Sequence, residues 1–252
     1  MIVTKMNKLL PILLLAVILF NGCQNTKETY LEDGTLVSRI DYRGKKKNGT
    51  ATEYYHNGAT KSILHYKNDL EDGLCQYFNE DGVKVMEVEM KAGKKNGRMR
   101  TFFFDGSLQS DATFSNDLLN GVQRTFSREN GQISETAFVN GKENGPYKAW
   151  HSKNLLKCTG SYKDGLWDGK WQYFDEREFL VGEGTFSKGT GKQISYDSNG
   201  NLYKITNYVN GQKEGEEIYY NADSTVAKTI VYHDDRMVSV DGNPVIRDVN
   251  EE

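Results

Sequence analysis

Short runs of alternating apolar and polar residues, separated by turns carrying Gly, Asn or Asp, fill nearly all of this chain. Residues 49–73 show the unit. Gly49 opens a run Thr50, Ala51, Thr52, Glu53, Tyr54, Tyr55, rich in β-branched and aromatic residues. His56, Asn57 and Gly58 supply a tight turn, because Asn-Gly readily takes positive φ. A second run from Ala59 to Tyr66 follows, and Lys67 to Gly73 turns the chain again. Runs this short, bounded by such turns, predict strand–turn–strand–turn and no helix.

The unit repeats on a fixed beat. Gly49, Gly73, Gly97, Gly121, Gly145, Gly169, Gly191 and Gly215 stand 24 residues apart, except for a 22-residue step from Gly169 to Gly191. Five residues after each stands an aromatic: Tyr54, Phe78, Phe102, Phe126, Trp150, Phe174, Tyr196 and Tyr220. A second rail, mostly seven residues before the beat glycine, reads Tyr42, Tyr66, Met90, Phe114, Phe138, Tyr162, Phe186, Tyr208 and Tyr232. Side chains alternate faces in a strand, so each rail falls on one side of its strands. The short step is expected to be a deletion in the turn at Ser187, Lys188, Gly189, Thr190, which would leave strand register intact.

Between the rails the residues are largely polar, as at Gln76, Arg100 and Lys148, and mean hydropathy is −0.68. That is too little apolar material for a two-layer sandwich of this length. The pattern predicts an all-β, elongated, single-layer antiparallel sheet of about 16–18 strands in tandem β-hairpins, packed by its aromatic rails. Residues 34–235 form the array of about eight repeats. Residues 23–33 read as a polar tether, and 236–252 as a cap with an acidic tail that blunts the open edge.

Residues 1–22 read as a signal peptide. Lys5 and Lys8 precede an apolar run from Leu9 to Phe20, short for a transmembrane span. Asn21, Gly22, Cys23 resembles a lipoprotein cleavage site, with Cys23 lipidated and Phe20 where an aliphatic residue is usual. Without residues 1–22 the chain carries 30 basic and 35 acidic side chains, a net −5, and no basic stripe, which argues against nucleic-acid binding. Cys75 and Cys158 fall seven strands apart, roughly 34 Å at ~4.8 Å per strand, so they are expected to be free thiols.

No constellation points to catalysis, a cofactor or a metal. His56, His65, His151 and His233 lie in different repeats without ligand spacing. Gly189, Thr190, Gly191, Lys192 lacks the spacing and the Ser/Thr of a phosphate loop. Gly182, Gly184 and Gly189 have no following helix, and the Asp-Gly pairs fall singly in turns. The chain is expected not to be an enzyme. Because the rails recur in every repeat, they are expected to be packing, and recognition should use residues that break the repeat. Trp167 and Trp171 flank Gly169, and Phe103 with Phe104 follows Met99. Trp167, read as a turn residue, is the leading candidate contact.

The grammar of aromatic, polar turn, beat glycine, aromatic and Asn/Asp-Gly resembles the MORN repeat, in the variant seen in the bacterial YwqK-type antitoxin family, over residues 34–235. The resemblance implies a hairpin array that mediates protein contacts, with scaffolding, membrane or phosphoinositide contact as associated roles. Together with the signal it suggests a lipid-anchored binding scaffold on the bacterial envelope, at the outer membrane rather than the inner, since Gln24 follows Cys23 instead of Asp. An antitoxin or immunity protein against an extracytoplasmic toxin is the alternative. Another protein is the expected partner; glycan binding is a further option.

Overall fold

The computed structural model describes residues 15–21, 24–152 and 154–245. These residues form one open antiparallel sheet of 23 strands, each paired with its neighbours in the sequence, and no helix. The count exceeds the expected 16–18 for two reasons. Some strands divide at a bulge, as in Leu70–Glu71 and Gly73–Phe78, and further strands extend both ends. The chain clusters into two compact units, residues 1–108 with 114–117 and residues 109–113 with 118–252.

The beat glycines lie in a bulge. At Gly49 the ladder pairs Ile40 with Ala51 and Tyr42 with Lys47, so three residues, 48–50, face Asp41 alone. Seven of the eight beat glycines carry φ between +74° and +133°, which L side chains disfavour. The residue eight before the glycine packs directly over it: a Cβ at Gly73 would lie 3.1 Å from His65, and one at Gly121 3.1 Å from Thr113. That residue also satisfies the bulged backbone. Asp41 accepts from the Thr50 N–H and Glu89 from the Arg98 N–H, while Asn207 donates to the Glu216 carbonyl.

The 22-residue step corrects the expectation of a shortened turn. The strands Leu180–Ser187 and Thr190–Tyr196 are joined by two residues, as are Thr60–Lys67 and Leu70–Glu71. What is missing is the bulge: Ser187↔Thr190 through Gly182↔Ser195 pair without a register shift, and Gly191 does not have positive φ. The turn stitching shows the same economy. In ordinary repeats the second turn residue donates to a carbonyl 22 residues earlier, as Asp69 does to Lys47, Gly93 to Glu71 and Gly165 to Glu143. Two residues further on, a different peptide accepts the next link. Here Gly189 does both, donating to Trp167 and accepting from Gly211, and a Cβ on it would meet Gly211 at 2.6 Å.

The tether expectation also needs correcting: Gln24–Tyr30 is a strand, paired with Leu36–Arg43. Its polar residues have cross-strand partners that a linear reading misses. Glu28 is buried, ion-paired to Arg39 at 2.6 Å and accepting from the Tyr30 hydroxyl at 2.6 Å. In the full chain Leu15–Asn21 pairs with Gln24–Tyr30. At the other end Arg236–Val240 and Asn243–Pro244 continue the ladder.

Apolar packing is one-sided, with Glu28 and Glu87 buried on the other face. Ala51, Leu64, Cys75, Val88, Ala112, Cys158, Trp171, Phe186, Glu217 and Ile230 are all buried and, by strand alternation, share one face of their strands. A sheet can bury these without a second layer because large rings lie over small neighbours.

Candidate functional site

The sequence-derived candidates Trp167 and Trp171 meet in the second unit, in a packed aromatic cluster. Trp171 is 2% exposed, with ring centroids 5.5 Å from Tyr147, 5.1 Å from Tyr162 and 6.2 Å from Tyr173. Its indole N–H donates to the Ser161 carbonyl at 3.0 Å. Trp167 belongs to the strand Leu166–Phe174, not to a turn, and lies 6.0 Å from Trp171, 5.2 Å from Phe186 and 5.2 Å from Tyr208. The premise that made it a contact residue is therefore corrected.

The signal for this role was present in the repeat. Trp167 stands two before its beat glycine, where other repeats have Lys47, Lys95 and Lys213. Those ammonium groups lie over Tyr66 at 4.8 Å, Phe114 at 5.2 Å and Tyr232 at 4.5 Å. The position is a lid over the rail aromatic that follows, and Trp167 covers Phe186 in the same way.

Three glycines serve the cluster as flat seats. A Cβ at Gly160 would fall 2.1 Å from the Trp171 ring, one at Gly184 2.6 Å from Phe186, and one at Gly182 3.5 Å from Tyr173. Burial raises the phenols of Tyr147, Tyr162 and Tyr173, with Tyr162 pushed up to about 12, so these rings are neutral packing groups rather than acids near neutral pH. Burial likewise raises the carboxyl of nearby Glu143.

Phe104 behaves differently. It is 75% exposed in a hairpin turn of the first unit, while Phe103, half-buried, closes that turn by donating its N–H to the Ser107 carbonyl at 2.8 Å. Of the four aromatic candidates, Phe104 is the one whose ring is presented to solvent.

Two charged groupings went unread in the sequence. Glu217, 1% exposed, sits on the packed face at the repeat position of Trp171. Burial works to raise its pKa, but donors from Lys213 at 2.9 Å, Thr206 at 2.8 Å and Tyr219 at 2.9 Å, with Lys204 at 3.5 Å, hold it down at about 2. Register brings Thr206 and Lys204 to it from the adjoining strand, while Lys213 and Tyr219 share its own strand. The second grouping joins Glu214, His233 and Asp234, whose ligand-type atoms lie within 4.8 Å of one another. Its members hold each other: Glu214 accepts from the Asp234 N–H at 2.9 Å and faces His233 Nδ1 at 3.1 Å, which raises the imidazole's pKa.

Cys75 and Cys158 are buried free thiols, both raised by burial. Cys23, the expected lipidation site, lies outside the described residues. No helix among the described residues is long and apolar enough to cross a membrane.

No curated protein matches the chain at a significant level. The family profile described as MORN repeat variant matches residues 47–68 and 190–210, one segment in each unit. Each matched segment runs from beside a beat glycine through the aromatic five later to the rail aromatic of the next strand. Two segments of the sheet thus match the MORN repeat variant, a module type that often binds proteins or membranes.

Proposed function

We propose that this chain is a non-catalytic repeat lipoprotein that serves as a protein-binding scaffold on the bacterial envelope, tethered through a lipid on Cys23, with the outer membrane as its site. The observation that carries this reading is the division of labour among the aromatics. Phe186 and the Trp167–Trp171 pair are packed against other rings, whereas Phe104, which breaks the repeat, stands in solvent at a hairpin tip. An exposed ring on a rigid hairpin is a suitable anchor for a partner surface, since its conformation is already fixed by the array.

Cys23→Ser tests the anchor. The variant should leave the membrane fraction and lose fatty-acid labelling; retention at the membrane overturns it. Crosslinked capture from the native envelope tests the scaffold. Phe104→Ala should recover markedly less of whatever protein co-purifies with the full chain, and unchanged recovery removes Phe104 from the contact.

A further inference from the structure

The hairpin tips of the second unit are not equivalent. Between two of them lies a cleft of about 420 Å³ lined by Phe126, Gly131, Gln132, Trp150 and Asn154. Phe126 and Trp150 occupy the same place in successive repeats, five after the beat glycine. Two positions beside these rings differ here from most other repeats. Ten residues after the beat glycine stand Ala59, Val83, Ser107, Leu155, Phe179, Asn201 and Thr225 in the other seven repeats, and Gly131 here. A Cβ built on Gly131 would meet nothing within 4 Å, so the missing side chain leaves open space. One position later, where five repeats carry Leu108, Leu156, Leu180, Leu202 and Val226 and the first two carry the polar Thr60 and Lys84, stands Gln132. That side chain reaches toward the ring of the following repeat: Lys84, its equivalent in the second repeat, lies 5.4 Å over Phe102.

The repeat is therefore broken at Gly131, which leaves open space, and Gln132 beside it makes that space polar. The size falls within the range of small-ligand sites. Two half-buried rings supply apolar walls. Gln132 and Asn154 supply carboxamides, each able to donate and to accept. Among the described residues no charged side chain lines the cleft. A sugar ring suits all three features: its C–H face packs on an aromatic ring, and its hydroxyls, like carboxamides, both donate and accept.

We propose that the cleft formed by Phe126, Gln132, Trp150 and Asn154 is a binding subsite for a neutral pyranose ring of a glycan. The rings position the sugar by its apolar face, and Gln132 and Asn154 read its hydroxyls. An open, shallow site with two polar contacts implies modest affinity, on the order of 0.1–1 mM for a single occupied subsite.

The test uses the full chain labelled with 5-fluorotryptophan, which gives one fluorine resonance for each of the three tryptophans. Trp150→Phe assigns the Trp150 signal. Chitotetraose, maltotetraose and cellotetraose are titrated separately. At least one should shift the Trp150 resonance saturably while those of Trp167 and Trp171 stay in place. Gln132→Leu installs the residue that other repeats carry, so the hairpin should fold as before and binding should weaken at least tenfold. Asn154→Gly, which suits the positive φ there (+67°), should weaken it several-fold. No saturable shift with any of the three sugars overturns the proposal, as does Gln132→Leu binding like wild type. A proline-rich peptide that moves the Trp150 signal where sugars do not would reassign the cleft to peptide recognition and also overturn it.

Discussion

Four pairs of strands, two in each unit, fill the same repeat positions by opposite means. In the first unit Ala51 faces Leu64 and, in the next repeat, Cys75 faces Val88, a small residue against a medium one. Ile40, Tyr66, Tyr77, Met90 and Met99 close around them. In the second unit the same register sets Tyr147 against Gly160 and Trp171 against Gly184, a large ring against no side chain. The volume has moved from one strand to its neighbour while the sum has roughly been kept. A single layer thus tolerates very different residues at one position, provided its cross-strand partners compensate. A third solution appears at Glu217, opposite Ile230, where hydrogen bonds and lysines replace packing.

The largest expected effect comes from removing a ring from its seat. Trp171→Ala should destabilise the second unit by about 3–5 kcal/mol, as deletion of a buried ring does, and should lower the midpoint of denaturant unfolding. Trp167→Ala, half-buried within the same cluster, should destabilise by about 2 kcal/mol; a melting temperature equal to wild type would return Trp167 to the list of contact residues. Glu217 marks the polar solution by its pH response. Its folded pKa of about 2 lies below the ordinary carboxylate value of 4.5, so its contribution is fully present above pH 4.5 and fades as pH falls toward 2. The melting temperature should drop by a few degrees across that window, and Glu217→Gln should flatten the drop. Phe104→Ala, at an exposed tip, should change stability by no more than about 0.5 kcal/mol.

The pitch of the array could be read from the sequence because its marker is a backbone requirement. A bulge with positive φ selects glycine at seven of the eight beats, whatever the neighbours. Trp167 was misread because proximity to turn residues said nothing about where its ring goes; alignment with Lys47, Lys95 and Lys213 would have placed it as a lid. The short step was located within a few residues but assigned to the turn, since turn and bulge adjoin and both carry glycine. Gly160 and Gly184 carry no marker in a linear reading; register is what puts rings above them. The Glu217 and Glu214 groupings were hidden for a related reason: each joins near neighbours in the sequence to residues brought from the adjoining strand or turn, up to 20 residues away.

The central claim is that ring and seat compensate each other, and a double-mutant cycle between Trp171 and Gly160 tests it most directly. Gly160→Ala alone forces its methyl into the indole and should destabilise by about 1–3 kcal/mol. Once Trp171→Ala has removed that ring, the added methyl should cost nothing or stabilise, giving a coupling of at least about 1 kcal/mol. Two effects that simply add, with Gly160→Ala as harmful in the Trp171→Ala background as in the wild-type chain, would contradict the account.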